Sequence, residues 1–346
     1  MRKILIWLSG GVDSAVAAYL LKEQWYEVVA GFMKNYVDEE NPNCSTYQDA
    51  KEAIKVAEFL WLEIMSFDLR EEYEEKIVKY IYEWYEKWIT PNPDILCNSL
   101  IKFDVFLDKA LELWFDWIAM WHYAKIEIME WNYRLFRWLD HNKDQSYFLS
   151  WLNQYQLSRA LFPIGWMEKS EVREIAKKIQ LPNADRKDSQ GLCFIWKIPM
   201  KDFLKQRLAV QKWDIVLMDW TKVGEHEWAY FFTIWQSRGL DINKKAYVVN
   251  IDVKKNLVTV SYNKQEIDLN TREVQTKNWH WIWKEYKLPL ECSTKIRYRQ
   301  EPTPAKMELN WDTIKFIYTE DQWWIAPGQS VVAYVWEECI WGGVID

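Results

Sequence analysis

Glycine is what this sequence lacks. Its 346 residues hold 10 glycines against 25 tryptophans, where the usual share of about 7% would give roughly 24 glycines. Histidine is sparse too, at four, and the five cysteines (44, 97, 193, 292, 339) form no Cys-x-x-Cys pair. That spacing supports neither a structural zinc site nor a disulfide framework. No apolar run approaches the ~18–20 residues that span a bilayer, and the opening KILIWL is strand-like rather than a charged, cleavable leader. We therefore expect a soluble, cytoplasmic chain with no membrane partner. A net charge of -7 excludes a uniformly basic nucleic-acid coat, and 49% hydrophobic with 27% charged residues excludes wholesale disorder.

The tryptophans fall where glycine is expected. Trp25 in KEQWYEVV, Trp61 in AEFLWLEI, Trp114 in LELWFDW and Trp213 in QKWDIV stand between amphipathic and strand-like text, where a helix closes on a left-handed residue. Trp220 takes the second place of an Asp-Gly turn. A left-handed tryptophan costs roughly 1–2 kcal/mol, so a dozen would rival a whole domain's stability of about 5–15 kcal/mol. The reading that fits is a UGA codon meaning glycine in the source and rendered as tryptophan. A tryptophan-rich ligand surface and a deliberate substitution series are the alternatives. Some tryptophans, such as Trp279 beside Asn278, read as genuine.

From residue 1 to about 200, apolar strands (KILIWL, EVVAGFM, LEIMSFD, WIAMWHY) alternate with helical text at 13–24, 46–60, 70–85, 98–112 and 168–179. This predicts an α/β domain, Rossmann-like, with a mostly parallel sheet. Beyond it short strands follow one another: DIVLMD, AYFFTI, AYVVNID, LVTVSY, ECSTKIRY, KMELN, TIKFIY, SVVAYV. We expect three domains: a catalytic one over 1–203, a small central β domain over 204–277, and a C-terminal β-barrel over 278–346.

The first strand runs into Ser9-Gly10-Gly11-Val12-Asp13-Ser14 and then directly into helical text. Small residues admit backbone N–H groups to a phosphate, the two serines add hydroxyls, and the helix N-terminus favours negative charge. The Gly-Lys-Ser/Thr ending of a Walker loop is missing, which argues against a kinase or GTPase. Cys97 lies in the proline-stiffened TPNPDILCN, where a helix is expected to open and bias its thiol toward thiolate. Cys193 lies in the polar turn DSQGLCFI. Context alone leaves each cysteine as either a packing residue or a nucleophile. Lys169, Arg173, Lys177 and Lys178, then Lys197, Lys201, Lys205 and Arg207, then Arg297 and Arg299, form three basic clusters that could track phosphates or simply be solvated.

SGGVDS, TPNPDILCN, HYAKIE, LDHNKDQSYFL, FPIG, DSQGLCFI, IRYRQ and APGQSVV, in that order, resemble the tRNA-specific 2-thiouridylase family over residues 4 to about 335. The resemblance implies a pyrophosphatase-loop (adenine nucleotide alpha-hydrolase type) domain that uses ATP to adenylate the C2 oxygen of a tRNA wobble uridine and then replaces that oxygen with sulfur from a cysteine persulfide. It implies ATP contacts at Trp7, Leu8, Ser9, Gly10, Gly11, Val12, Asp13, Ser14, Met33 and Trp121, with Mg²⁺ accompanying the triphosphate. Cys193 would carry the persulfide, delivered by a cysteine desulfurase or a sulfur-relay protein. Cys97 would be the nucleophile or the resolving thiol, the two closing a disulfide at the end of the cycle. Asp94 would transfer a proton or simply cap its helix. Asn92, Pro93 and Asp94 would meet the target base, and His122, Lys143, Asp144, Gln145, Arg297, Tyr298 and Gln329 would touch tRNA. Family members carry glycine at positions matching Trp7 and Trp121, where an indole would obstruct ATP. If both tryptophans are real, a non-catalytic tRNA-binding protein is the alternative. Another pyrophosphatase-loop ligase or thiolase is a second, and a glutamine- or ammonia-dependent ligase would need neither thiol.

Overall fold

The computed structural model describes residues 2–37, 45–87, 89–138, 140, 143–187, 200–208, 212–232, 234, 236–252, 255–263, 272–322 and 325–346. Cys44 and Cys193 lie outside these residues.

Apolar runs buried on both faces build the first sheet. β1 (Lys3–Trp7), β2 (Glu27–Lys34), β3 (Ile64–Asp68), β4 (Trp117–Ala119) and, after further elements, β7 (Ala160–Leu161) run parallel in the order β3-β2-β1-β4-β7. Two apolar clusters, one on Leu5 and Phe106 and one on Ile6 and Val16, account for the continuous hydrophobic text of the strands. Helices α1 (Val12–Glu23) and α2 (Ser45–Phe59) alternate with the strands. One helical run holds α3 (Arg70–Tyr73), a π-helical stretch (Glu74–Val78) and α4 (Lys79–Glu86). Another holds α5 (Pro93–Leu96), a second π-helical stretch (Cys97–Val105) and α6 (Phe106–Glu112). The strand order reverses between β1 and β4, and crevices at such reversals bind ligands at the carboxyl ends of the strands.

The β5 (Lys125–Met129) and β6 (Asn132–Phe136) hairpin leaves this domain and joins another sheet. After it come a 3₁₀ turn (Ser146–Leu149), α7 (Gln154–Ser158), α8 (Lys169–Lys178) and α9 (Met200–Lys205). A four-stranded sheet follows, ordered β10-β11-β8-β9, from β8 (Trp213–Leu217), β9 (Lys222–His226), β10 (Tyr247–Asp252) and β11 (Leu257–Ser261). The expected strand AYFFTI is instead a 3₁₀ turn at Ala229–Phe231, where the Ala229 amide donates to Asn256 Oδ1 at 2.6 Å rather than to a neighbouring strand. The last six strands, β12 (Glu273–Trp281), β13 (Leu290–Lys295), β14 (Thr303–Asn310), β15 (Thr313–Tyr318), β16 (Ser330–Val335) and β17 (Glu338–Ile345), close into an antiparallel barrel through β12 and β17. β17 also pairs with β6, Cys339 opposite Leu135, so one continuous sheet joins the barrel to the α/β domain.

Among the described residues eleven non-glycine residues have left-handed backbone, and seven are tryptophans: Trp25, Trp61, Trp114, Trp131, Trp220, Trp311 and Trp336, with φ between 55° and 68°. Their side chains are 71–96% exposed, so no packing offsets the strain. At Trp25 the chain makes the paired 6→1 and 5→2 bonds of a helix end, Tyr26 N–H to Leu21 and Trp25 N–H to Lys22, and Trp61 and Trp114 repeat them. Trp131, Trp220, Trp311 and Trp336 sit in hairpin turns, where glycine belongs. Trp213 departs from expectation: it opens β8 in extended backbone.

Candidate functional site

The phosphate loop stands at the carboxyl end of β1, beside the reversal point. Gly10 is left-handed at φ 77°, Gly11 is the extended N-cap of α1, and the helix begins at Val12. Ser9 and Ser14 hydroxyls lie 3.2 Å apart, the Gly11 amide donates to Ser9 Oγ at 3.3 Å, and Ser14 Oγ donates to the Gly11 carbonyl at 3.0 Å. Two hydroxyls, the Gly11 amide and a helix N-terminus lie together, a donor set that suits a polyphosphate. Asp13 faces the other way, accepting from Lys169 Nζ at 2.6 Å and from Tyr123 OH at 3.0 Å. Among the described residues no three His, Cys, Asp or Glu side chains gather for a metal.

Trp7 and Trp121 meet in the crevice, ring centroids 4.1 Å apart, with Trp7 only 4% exposed. Leu8, Val12 and Ser14 are buried, and Met33 lies in the same apolar cluster as Trp7.

Cys97 is buried on the wall formed by the second helical run. The expected helix opening at Cys97 is corrected. Pro93 takes the first turn, so the helix begins four residues earlier and Cys97 lies beyond the turn in which the helix N-terminus acts most strongly. Asp94 is in that first turn, while Asn92 occupies the N-cap and makes no side-chain cap bond. A chain of polar contacts missed at the sequence level connects this helix to β4. Asn98 Nδ2 donates to the Asp94 carbonyl at 2.9 Å, which turns Asn98 Oδ1 toward His122 Nε2, also at 2.9 Å. His122 therefore carries its proton on Nε2, and burial first and the nearby Lys102 charge second hold its pKa well below the usual histidine range. Lys102, buried, lies 5.1 Å from the Trp7 ring centroid. A lone lysine in helical text signals a surface, and only the packing of the π-helical turn reveals otherwise.

Most of the remaining candidates gather around the loop before Cys97. Gln329 Nε2 donates to the carbonyls of Thr90 and Pro91 at 3.3 and 3.1 Å, and the Thr90 amide donates to Pro327. Asn92 reaches Tyr147 OH at 3.4 Å, and that hydroxyl donates to the Ser330 carbonyl at 3.0 Å. Gly328 allows this approach, because a Cβ there would lie 2.2 Å from Ile89. Tyr298 packs on Phe148 with centroids 4.4 Å apart, and burial foremost, with the Asp144, Asp140 and Asp94 carboxylates assisting, pushes its phenol up to about 12. Arg297 lies near Tyr147, its pKa lowered by burial. Gln145 is fixed by Tyr123, whose amide donates to Gln145 Oε1 at 3.0 Å. Lys143 lies beside it, half-buried.

One expectation changes. Asp144 is fully buried, accepting from Lys295 Nζ at 2.8 Å and from the Trp138 and Ser146 amides, so its carboxylate braces the barrel against the α/β domain instead of facing solvent. The basic clusters are partly ion-paired within the chain. Lys169 is paired with Asp13, Arg173 holds the Ala184 and Arg186 carbonyls, Lys201 and Lys205 share Glu227, and Arg207 pairs with Glu74. Lys177, Lys178 and Arg299 remain exposed, while Lys197, like Cys193, lies outside the described residues.

The family profile described as the tRNA methyl transferase HUP domain matches residues 2–197, its PRC-barrel companion matches 201–262, and the aminomethyltransferase beta-barrel domain matches 271–345. The chain is 39% identical to the tRNA-specific 2-thiouridylase MnmA of Bacillus velezensis, over 99% of this chain and 95% of that one. It is 41% identical to the protein of the same name from Buchnera aphidicola, over 100% and 97%. Among solved structures, the U34-tRNA thiolase NcsA from Methanococcus maripaludis aligns at 18% identity and a TM-score of 0.37, over 56% of this chain and 61% of that one. The profile names speak of methyl transfer, but the full-length relatives carry the thiouridylase name. The chain belongs to the tRNA-specific 2-thiouridylase family.

Proposed function

We propose that this protein catalyses ATP-dependent 2-thiolation of the wobble uridine of tRNA. What carries the reading is full-length identity of about 40% to thiouridylases, together with a polyphosphate-suited loop after β1 and a buried cysteine at Cys97. Trp7 through Ser14, Met33 and Trp121 form the ATP site. The uracil O2 attacks the α-phosphorus and pyrophosphate leaves, which turns a poor leaving group into AMP. Cys193 carries the persulfide. Cys97 attacks its inner sulfur, the S–S bond breaks with its electron pair going to hydrosulfide, and a Cys97–Cys193 disulfide remains. Hydrosulfide then adds at C2 and AMP departs. Asn92, Pro93 and Asp94 meet the base, with Asp94 exchanging the proton. His122, Lys143, Gln145, Arg297, Tyr298 and Gln329 form the RNA-facing rim, and Asp144 supports it from below. Partners are tRNA and a persulfide donor, a cysteine desulfurase or relay protein.

We infer also that the protein made in its source has glycine at the left-handed tryptophans and at Trp7 and Trp121, through UGA read as glycine. The strained, exposed backbone at seven of these sites supports this. Tryptic peptide masses from the natural source test it: glycine masses support decoding, and tryptophan masses at Trp7 and Trp121 favour the non-catalytic tRNA binder, because the two packed indoles stand at positions assigned to the ATP site.

A further inference from the structure

The Gly10 carbonyl is gripped from outside the phosphate loop. Asn183 Nδ2 and Arg186 Nη1 both donate to it at 2.9 Å, and Arg186 Nη2 pairs with Asp49 on α2. Arg173, on α8, in turn donates to the carbonyls of Ala184 and Arg186, fixing the segment that carries both donors. Asn183 is 3% exposed, so its amide is committed to this contact. C=O and N–H of one trans peptide point in opposite directions. Holding the Gly10 carbonyl outward therefore aims the Gly11 N–H inward, where it now donates to Ser9 Oγ. Two consecutive glycines resist a peptide flip poorly, and a flipped peptide would present an acceptor to a phosphate.

We propose that Asn183 and Arg186 are positioning residues for the nucleotide: they lock the Gly10–Gly11 peptide in the orientation that binds a polyphosphate. This deepens the ATP reading above and rests on it. Arg186 stands seven residues before Cys193 in the sequence, so the segment that leads to the thiol also sets the shape of the loop.

The parent for the test is the full chain with Trp7→Gly and Trp121→Gly, compared with Arg186→Ala, Arg186→Lys and Asn183→Leu/Arg186→Met in that background. Equilibrium dialysis with ATP is expected to show binding weakened roughly tenfold or more in the double variant, in line with two lost donors. Arg186→Lys recovers most of the loss, the KM for ATP rises, and kcat and tRNA affinity hold. Without nucleotide, amide hydrogen exchange over residues 8–14 is expected to accelerate in the double variant while the exchange of β2 stays at the parent's rate. ATP binding within twofold of the parent together with unchanged exchange overturns the proposal. A parent that binds no ATP overturns the ATP reading instead, and exchange alone then decides whether the clamp exists.

Discussion

The Gln329 amide donates to the Pro91 carbonyl across 3.1 Å, and that bond seats the C-terminal barrel directly on the loop that leads into Asn92, Asp94 and Cys97. The barrel is thus fixed against the loop to which the proposed reaction assigns the target base. Gln329→Ala is expected to weaken tRNA binding and raise the KM for tRNA a few-fold, as loss of a neutral hydrogen-bond pair does, with ATP affinity unchanged. Filter binding and initial rates check this.

Replacing the left-handed tryptophans by glycine should stabilise the chain. Each of Trp25→Gly, Trp61→Gly and Trp336→Gly is expected to raise the unfolding free energy by about 1 kcal/mol, the cost of a side chain in left-handed backbone. Urea midpoints measure it. Trp279→Gly in β12, where the side chain packs on the barrel core, is expected to destabilise.

Lys295 and Asp144 are both fully buried and paired. Lys295→Met removes one of the two cations at the Asp144 carboxylate, leaving Arg137 Nε at 3.5 Å and the two amides, and is expected to cost about 3 kcal/mol. The converse change, Asp144→Asn, strands the ammonium and is expected to cost a similar amount. Denaturant titration of each variant checks both.

His122 is held neutral by burial. Its folded pKa lies below the unfolded value of about 6.5, so the unfolded chain takes up the proton first and acid favours unfolding. The contribution is fully present above pH about 6.5 and falls as pH drops through that value, by up to about 1.4 kcal/mol per pH unit. The stability difference between pH 7.5 and 5.5 is expected to shrink in His122→Asn.

The parallel sheet and the phosphate loop were legible because their signals are local: continuous apolar strands, small residues and an immediate helix. The β5–β6 hairpin escaped notice because its turn residue is Trp131, and β12 and β17 because Trp279, Trp281 and Trp341 mask the usual alternation and turn text. The candidate residues around Cys97 were legible only through the family motifs. Asn98, Lys102, Asn183 and Arg186 were not, since their roles depend on contacts between elements far apart in sequence. The ion pairs within the basic clusters were not legible for the same reason: Glu227 and Glu74, which pair with Lys201, Lys205 and Arg207, lie 22 or more residues away.

The most direct test of the whole account is sulfur incorporation into unmodified tRNA by the chain with Trp7→Gly and Trp121→Gly, given ATP, Mg²⁺ and a persulfide donor and read as retarded migration in a mercury-containing gel. The account predicts a retarded band that requires ATP and disappears in Cys97→Ser and in Cys193→Ser. Folded protein that binds both ATP and tRNA yet gives no retarded band, or a band that survives both serine substitutions, would contradict it.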